Sequence, residues 1–313
     1  MGVITISNDR LRLAVLPHLG AGIADFSILG PGKFHHALMR RAAPDETNPS
    51  ALGSFLLAPW CNRIAGAVFT FQGKKFALKA SGSDGSAMHG DVRARPWRIL
   101  DRSPNSARLE FDTTADGVRD VNWPWPFKSE VRYELSATGL TIDLSVTNLG
   151  DTAMPAGCGH HPYFARKLWS DRDEVQLRAA VTGRYPLSKA IPTGPHAADR
   201  LCQRMATLAA FPAESLDDVF AAGTATAGAS AELHWPASGV TLLMTSSKEF
   251  GHLVLYSPPV DAARPAAGFL PFVAVEPVSQ VNNALNMSGN VGTVVLAPGG
   301  TLNTTFTLGV KID

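Results

Sequence analysis

Apolar and polar residues alternate with a period of two along much of the chain. In segment 141–147, Ile142, Leu144 and Val146 alternate with hydroxyl and acidic residues, and a similar alternation returns at 302–308. Successive side chains of a strand point to opposite faces, so this pattern predicts strands with one buried and one solvated face. The chain is therefore predicted to consist mainly of antiparallel β-strands.

Glycine and proline punctuate these strands. Segment 68–78, VFTFQGKKFAL, predicts a hairpin with Gly73 in its turn, and LAPGGTL at 296–302 predicts a second one. Only segment 198–211 has helical spacing, and it is short. We therefore predict an all-β protein, a large antiparallel β-sandwich with few short helices. Without a composition break or an internal repeat, residues 1–313 are predicted to form one domain.

Composition and charge exclude several classes of partner. Hydrophobic residues make up 45% of the chain, and 28 basic against 27 acidic residues give a net charge of +1. Nucleic acids and anionic membranes require a concentrated basic face, so neither is expected as a partner. No apolar run approaches the roughly 18 residues of a membrane helix, and no signal peptide is recognisable. Three widely spaced cysteines favour reduced thiols, and we predict a cytoplasmic protein.

Two adjacent histidines, His160 and His161, lie in the segment AGCGHHPYFAR. Pro162 favours an extended backbone at His161, and neighbouring residues of a strand point to opposite faces. The two imidazoles are therefore not expected to chelate one ion, and neither HxH nor HExxH spacing is present. We predict no metal site, and a structural role for one of the two histidines.

Glu276 follows the apolar segment 272–275 and precedes Pro277. A carboxylate after four residues of buried type is partly desolvated, which raises its affinity for a proton. Such a group suits a general base working near neutral pH. A buried structural glutamate is the alternative, although burying a carboxylate without purpose costs free energy.

Other polar residues lie among glycine, proline and aromatic residues, where a pocket can form. Arg63 can bind vicinal hydroxyls with its planar donors, or bond loop carbonyls at the surface. His89 precedes a glycine, and Asp217 and Asp218 must point to opposite faces if they lie in a strand. Three arginines follow His89 and are expected to decorate a strand, or to meet a phosphate if two of them converge: Arg93, Arg95 and Arg98.

Five segments, in this order and at these separations, resemble the aldose 1-epimerase (galactose mutarotase-like) family. They read PWCNRIAGAVFTFQGKKFAL, MHG, HHPYF, LDDVF and FVAVEP, and the resemblance spans roughly residues 12–310. It implies the galactose mutarotase-like supersandwich and a cofactor-free interconversion of the α- and β-anomers of a free monosaccharide. Each motif alone is weak, but the ordered set is specific.

The resemblance assigns roles to individual residues. The HPYF match makes His161 the general acid toward the ring oxygen, and the EP match makes Glu276 the general base toward the anomeric hydroxyl. Histidine titrates near neutral pH, so the two groups form a matched acid and base. The D-x-x-F match is Asp217, with the adjacent Asp218 as the alternative. Arg63 and His89 are expected to hold the ring oxygen and neighbouring hydroxyls, and Asp217 is expected to bind sugar hydroxyls. Three tryptophans are candidates for stacking on the sugar or for packing: Trp60, Trp123 and Trp125.

The chain departs from the family pattern at two places. Cys61 stands where the family often has proline, and the residues after Glu276 differ from the commonest continuation. The second difference affects substrate preference more than chemistry. A hexose-phosphate mutarotase and a non-catalytic carbohydrate-binding protein of the same fold remain alternatives, and the sequence does not predict the oligomeric state.

Overall fold

The computed structural model describes residues 2–212, 214–224, 227–260, 270–289 and 291–312. These residues form strands joined by short connections, one α-helix, α1 (Arg200–Met205), and several single-turn 3-10 helices. The strands in chain order are β1 (Ile4–Ser7), β2 (Leu11–Leu16), β3 (Gly22–Leu29), β4 (His35–Ala37), β5 (Ser54–Leu57), β6 (Arg63–Ile64), β7 (Val68–Phe71), β8 (Lys74–Ala77), β9 (Ala87–Met88), β10 (Arg98–Arg102), β11 (Ser106–Asp112), β12 (Phe127–Ser136), β13 (Gly139–Asn148), β14 (Met154–Ala156), β15 (Gly159–Ala165), β16 (Gln176–Ala179), β17 (Val181–Arg184), β18 (Leu187–Ser188), β19 (Ile191–Pro192), β20 (Ala209–Ala210), β21 (Leu216–Ala222), β22 (Ala231–Trp235), β23 (Val240–Ser246), β24 (His252–Ser257), β25 (Phe272–Val278), β26 (Val294–Leu296) and β27 (Thr301–Ile312).

Two large antiparallel sheets contain most of these strands. The first sheet has the order β1-β2-β3-β5-β15-β25-β24-β21-β17, with β4 beside β3. The second sheet has the order β10-β11-β12-β13-β27-β23-β22-β16-β20. Short ladders join β14 to β26, β18 to β19, β6 to β9 and β7 to β8. The predicted all-β class with little helix is confirmed.

Alternation along the strands builds the core between the two sheets. In β13, Ile142, Leu144 and Val146 are buried, while the residues between them are partly exposed. Phe306 of β27 is fully buried in the same core and pairs across the ladder with Ile142. The period-two pattern of the sequence therefore identifies the inner face of the second sheet correctly.

The two predicted hairpins have different outcomes. The hairpin at 68–78 is confirmed, because β7 pairs with β8 and Gly73 takes a φ of +76° in the turn. The hairpin at 296–302 is wrong, because β26 pairs with β14 and not with β27. Strand β27 pairs instead with β13 through residues 301–309 and with β23 through residues 306–312.

The face of the first sheet that is turned away from the second sheet has its own apolar cluster. In β25, Val273 and Val275 enter the core between the sheets, whereas Phe272 and Ala274 pack in the outer cluster. Glu276 has the parity of the outer set, so its carboxylate lies on the outer face. Within the described residues, no helix has the length and apolar character needed to cross a membrane.

Candidate active site

Two neighbouring strands of the first sheet bring the predicted acid and base together. Gly159 of β15 pairs with Val278 of β25, and the same register two residues further along each strand sets His161 opposite Glu276. Opposed residues of adjacent strands have side chains within contact distance. The Nε2 atom of His161 lies 3.2 Å from Oε1 of Glu276. Residues more than a hundred positions apart in sequence are thus cross-strand partners.

A proline follows each member of this pair. Pro162 and Pro277 have no N–H to donate, and each favours an extended backbone at the residue before it. The ladder described between β15 and β25 pairs 159 with 278 and 163 with 274, and it skips the three positions between them. The two prolines explain this interruption at the point where the two functional side chains face each other.

The adjacent histidines point to opposite faces of the first sheet. The His160 ring lies between the sheets, with its centroid 4.9 Å from that of Phe306 and 5.6 Å from that of Phe250. Neither of its ring nitrogens has a hydrogen-bond partner in the part of the chain that the structure describes, and burial lowers its pKa to about 3. His160 is therefore a neutral aromatic packing residue, and only His161 reaches the outer face.

Burial shifts the proton affinities of His161 and Glu276 in opposite directions. Desolvation, with a smaller effect of nearby arginine charges, lowers the pKa of His161 to about 3. Desolvation raises the pKa of Glu276 well above its usual range. The expectation that His161 titrates near neutral pH is wrong, because the sequence pattern does not show how deeply the imidazole lies. The contact of 3.2 Å between them is short enough for a proton to pass directly from one group to the other.

Three buried polar atoms around this pair have no hydrogen-bond partner among the described residues. They are Nδ1 of His161, Oε2 of Glu276 and Nδ1 of His89. The rings of His89 and His161 meet edge to face with centroids 5.4 Å apart, and Phe55 contacts both rings. Buried polar groups are normally satisfied, so this cluster is a candidate position for a polar ligand.

A short ladder holds Arg63 and His89 beside each other. Strand β6 begins at Arg63 and pairs with β9, and the backbone N–H of His89 donates to the carbonyl of Asn62 at 2.8 Å. Both Asn62 and His89 have positive φ values, 47° and 63°. The structure therefore brings the NR and HG segments, which are separated in sequence, to one side of the pair.

Gly90 is required by the tight approach of this loop to the first sheet. Its φ is +74°, and a Cβ atom at this position would lie 2.0 Å from the carbonyl oxygen of Ala58. The same carbonyl accepts a hydrogen bond from the N–H of Asp91 at 2.8 Å. A side chain at residue 90 would push this loop, and His89 with it, away from the site.

Asp217 and Asp218 take opposite faces of β21, as predicted for a strand. Oδ2 of Asp217 lies 3.9 Å from Nη2 of Arg63, whereas Asp218 lies 3.5 Å from Arg184. Partial burial raises the pKa of Asp217, whose charge in turn raises the pKa of Glu276. Side-chain exposure falls from 40% at Asp217 to 18% at Arg63 and 1% at Glu276, so the site opens toward Asp217.

The tryptophan candidates are packing residues. Trp60 and Trp123 stack with their centroids 5.2 Å apart, and Trp123 stacks in turn on Phe69. Trp125 packs against Phe76 at 4.7 Å. All three indoles belong to the core cluster between the sheets, away from the outer face that carries His161 and Glu276.

Of the three arginines after His89, only one approaches the pair. Arg95 pairs with Asp91 at 2.8 Å, and Arg98 is the only one of the three that lies in a strand, where it pairs with an acidic neighbour. Arg93 lies in a 3-10 turn, with its Cζ 5.3 Å from the centre of the Phe55 ring. Arg40, which sequence reasoning missed because no motif surrounds it, lies 4.1 Å from the centre of the Tyr163 ring.

No group of three or more histidine, cysteine or acidic side chains among the described residues is arranged to hold a metal ion.

Comparison with known proteins identifies related sequences and structures. The aldose 1-epimerase family matches residues 2–309. YihR of Escherichia coli K12, named as an uncharacterized protein, is 30% identical over 210 residues, which cover 66% of this chain and 65% of YihR. The match thus spans less than two thirds of that relative's length.

Two solved structures share the fold over nearly the whole chain. A galactose mutarotase-like protein from Clostridium acetobutylicum has a TM-score of 0.85 at 18% identity, with 99% of this chain and 95% of that chain covered. The GalM/aldose epimerase homologue from C. elegans has a TM-score of 0.80 at 18% identity, with 99% of each chain covered. The family resemblance and the fold predicted from the sequence motifs are confirmed.

Proposed function

The chain belongs to the aldose 1-epimerase family, and on that premise we propose that it is an isomerase that interconverts the α- and β-anomers of an aldose. The observation that carries the proposal is the buried contact of 3.2 Å between Nε2 of His161 and Oε1 of Glu276. Ring opening of an aldose requires one proton to leave and another to arrive. Two proton-carrying groups in contact, each with an unsatisfied polar atom beside it, fit that requirement.

The first step opens the sugar ring. Glu276, as the carboxylate, accepts the proton of the C1 hydroxyl, while His161 donates its Nε2 proton to the ring oxygen. The bond between C1 and the ring oxygen breaks, its electron pair stays on that oxygen, and C1 becomes an aldehyde carbon. In this proposal the pair shares one proton at rest, on Glu276 because its proton affinity is raised, and that proton first crosses to His161. The hydroxyl groups of the bound sugar favour the transfer because they solvate the ion pair.

The second step closes the ring on the other face of the aldehyde. C1 rotates about the bond to C2, the C5 hydroxyl attacks the carbonyl, His161 takes back the hydroxyl proton and Glu276 returns its proton to the new C1 hydroxyl. The pair ends with the proton it started with. Each positioned proton transfer typically contributes ~10²–10⁴-fold to the rate.

The remaining candidates divide between the two ends of the reacting bond. Arg63 and Asp217 lie on the side of Glu276 and are proposed to bind the hydroxyls next to the anomeric carbon. His89 lies beside His161 and is proposed to hold the sugar near the ring oxygen. Burial lowers the pKa of His89 well below its ordinary value, so it acts as a neutral hydrogen-bonding group.

The proposal also covers the organisation and location of the chain. Residues 1–313 are proposed to form one domain, because one hydrophobic core includes residues from Ile4 to Val310. The partner that we propose for this domain is a monosaccharide substrate. The three cysteines are free and buried, which suits the reducing cytoplasm that we propose as its location.

Polarimetry tests the activity directly. Freshly dissolved α-D-glucose and α-D-galactose lose optical rotation at a spontaneous rate, and the protein should add a rate proportional to its concentration. Exchange NMR extends the panel to other aldoses and to hexose phosphates. If no member of the panel equilibrates faster with the protein, the proposal is wrong. Saturable sugar binding without any acceleration would instead favour a non-catalytic carbohydrate-binding protein.

A further inference from the structure

Two arginines that the proposed chemistry does not use contact the aromatic rings beside His161. Cζ of Arg40 lies 4.1 Å from the centre of the Tyr163 ring, and Cζ of Arg93 lies 5.3 Å from the centre of the Phe55 ring. Both rings contact the imidazole of His161, with centroids 4.6 and 4.5 Å away. Each guanidinium therefore contacts an aromatic ring that also contacts the proposed acid.

The two guanidinium groups converge on one residue. Nη2 of Arg40 donates to the backbone carbonyl of Ser50, and Nη1 of Arg93 donates to the hydroxyl of the same serine at 3.2 Å. Arg40 also donates to the carbonyl of Leu52, from Nη2 at 2.7 Å and from Nε at 3.2 Å. These bonds anchor both side chains and bring two positive charges to the same edge of the site.

Neither arginine has a carboxylate partner among the described residues. Two arginines close to them in sequence do have a carboxylate partner: Arg41 lies 3.0 Å from Asp25, and Arg95 lies 2.8 Å from Asp91. Glu46 acts on Arg40 only from beyond ion-pair distance. Desolvation lowers the pKa of both arginines, so holding two unpaired cations here costs free energy that an anionic ligand would recover.

The contacts place these arginines on the His161 side of the pair. Arg40 and Arg93 lie against the Tyr163 and Phe55 rings that contact the His161 imidazole, whereas Arg63 lies 3.9 Å from Asp217. His161 is proposed to protonate the ring oxygen, and that oxygen is bonded to C5, which carries the exocyclic carbon of a hexopyranose. The exocyclic group of a bound hexose therefore lies on the side of Arg40 and Arg93.

We propose that Arg40 and Arg93 bind an oxyanion on the exocyclic carbon, so that the substrates of this protein are acidic aldoses. The inference rests on the proposed function and specifies its substrate class. Guanidinium groups bind carboxylate, sulfonate and phosphate oxygens through paired, charge-assisted hydrogen bonds, and all three groups occur on sugars. The arms of the experiment distinguish them.

Exchange NMR measures the test, because it reports anomer exchange for neutral and charged sugars alike. The panel is D-glucose, D-glucuronate, D-glucose 6-phosphate and the 6-sulfonate of 6-deoxyglucose. We expect kcat/KM for at least one acidic sugar to exceed that for glucose by roughly tenfold or more, the size of a charge-assisted contact. The preference should shrink with added salt, since screening weakens exposed ion pairs.

Two substitutions locate the effect. Arg93→Gln and Arg40→Gln should each lower the ratio of kcat/KM for the preferred acidic sugar to that for glucose by roughly 10- to 100-fold. Arg132→Gln removes the same charge from the second sheet and should leave the ratio unchanged. Arg40 also donates to two backbone carbonyls, so circular dichroism must show that the Arg40→Gln variant is folded. If that variant is unfolded, Arg93→Gln decides the question alone, because within the described part of the chain Arg93 donates only to the Ser50 hydroxyl.

The outcomes separate this inference from the proposal beneath it. If glucose and the acidic sugars are accelerated equally, or if the ratio is the same in the wild type and Arg93→Gln, the inference is wrong and the proposed function stands. If no sugar of the panel exchanges faster with the protein, the proposed function fails. A ratio that falls in both arginine variants and holds in Arg132→Gln supports the inference.

Discussion

Replacing Glu276 by glutamine tests the proposed base with almost no change of volume. The carboxylate is 1% exposed and lies 3.2 Å from Nε2 of His161, so no solvent group can take over the proton from the C1 hydroxyl. General base catalysis is typically worth ~10²–10⁴-fold, which corresponds to about 2.7–5.4 kcal/mol of activation free energy. We expect kcat to fall by that factor, with a smaller change in KM.

The same substitution, which should lower the activity, should raise the stability relative to the wild type as the pH rises. Burial raises the pKa of Glu276 above its ordinary value of 4.5, so its contribution to the free energy of unfolding is fully present below pH 4.5 and is lost as the pH rises toward the raised pKa. That loss amounts to at most about 1.4 kcal/mol per pH unit. His161, whose pKa is lowered, contributes with the opposite sign. Because glutamine does not titrate, the variant should gain stability relative to the wild type as the pH rises.

Two measurements check these expectations together. Exchange NMR on the preferred aldose gives kcat and KM, and denaturant unfolding at about pH 6 and 8 gives the stability difference. Glu134→Gln, on a half-exposed position of the second sheet, serves as the matched control and should change neither. A Glu276→Gln enzyme that keeps more than about a tenth of the wild-type kcat would refute the assignment of the base. A variant that is inactive because it is unfolded would be recognised by its missing unfolding transition.

Three further predictions follow from burial and backbone geometry. Burial lowers the pKa of His161 to about 3 and raises that of Glu276, so lowering the pH through the ordinary histidine pKa of 6.5 should not protonate His161 further. We therefore expect no loss of kcat/KM between about pH 7 and pH 5, and a fall only as the pH rises through the raised pKa of Glu276. A loss of activity on the acidic side centred near pH 6.5 would contradict this. Gly90→Ala should lower the free energy of unfolding by about 2–4 kcal/mol, because the added Cβ would lie 2.0 Å from the carbonyl oxygen of Ala58. Gly73→Ala is the matched control: its φ is equally positive but no atom lies within 4 Å of the added Cβ, so it should cost only about 1 kcal/mol. Equal losses in the two variants would show that steric contact at residue 90 is unimportant. All three thiols are buried, so an aromatic disulfide reagent at about pH 8 should label none of them before the protein unfolds, and rapid labelling of the native protein would contradict that.

Local patterns predict the strands and their faces well. Alternation alone places Ile142 and its partners in the core, and adjacency alone requires His160 and His161, or Asp217 and Asp218, to diverge. These features depend only on the geometry of a single strand, which sequence periodicity encodes.

Features that depend on several strands escape the sequence. The hairpin predicted before β27 is wrong because β26 pairs with β14, a strand about 140 residues earlier in the chain, which no local signal reveals. The lowered pKa of His161 depends on its depth beneath Phe55 and Tyr163, and Arg40 approaches Tyr163 from a connection without any motif. Cross-strand neighbours, depth of burial and converging loops are properties of the assembled sheet.

The proposed proton-transfer residues and the proposed recognition residues lie in different kinds of segment. Both belong to adjoining strands of the first sheet, whereas Arg40 and Arg93 come from connections outside the strands. In the proposed function, proton transfer thus falls to residues of paired strands, and substrate recognition falls to connecting segments, which tolerate change more readily. Relatives or engineered variants can acquire new sugars by exchanging these connections while the proton-transfer machinery stays untouched.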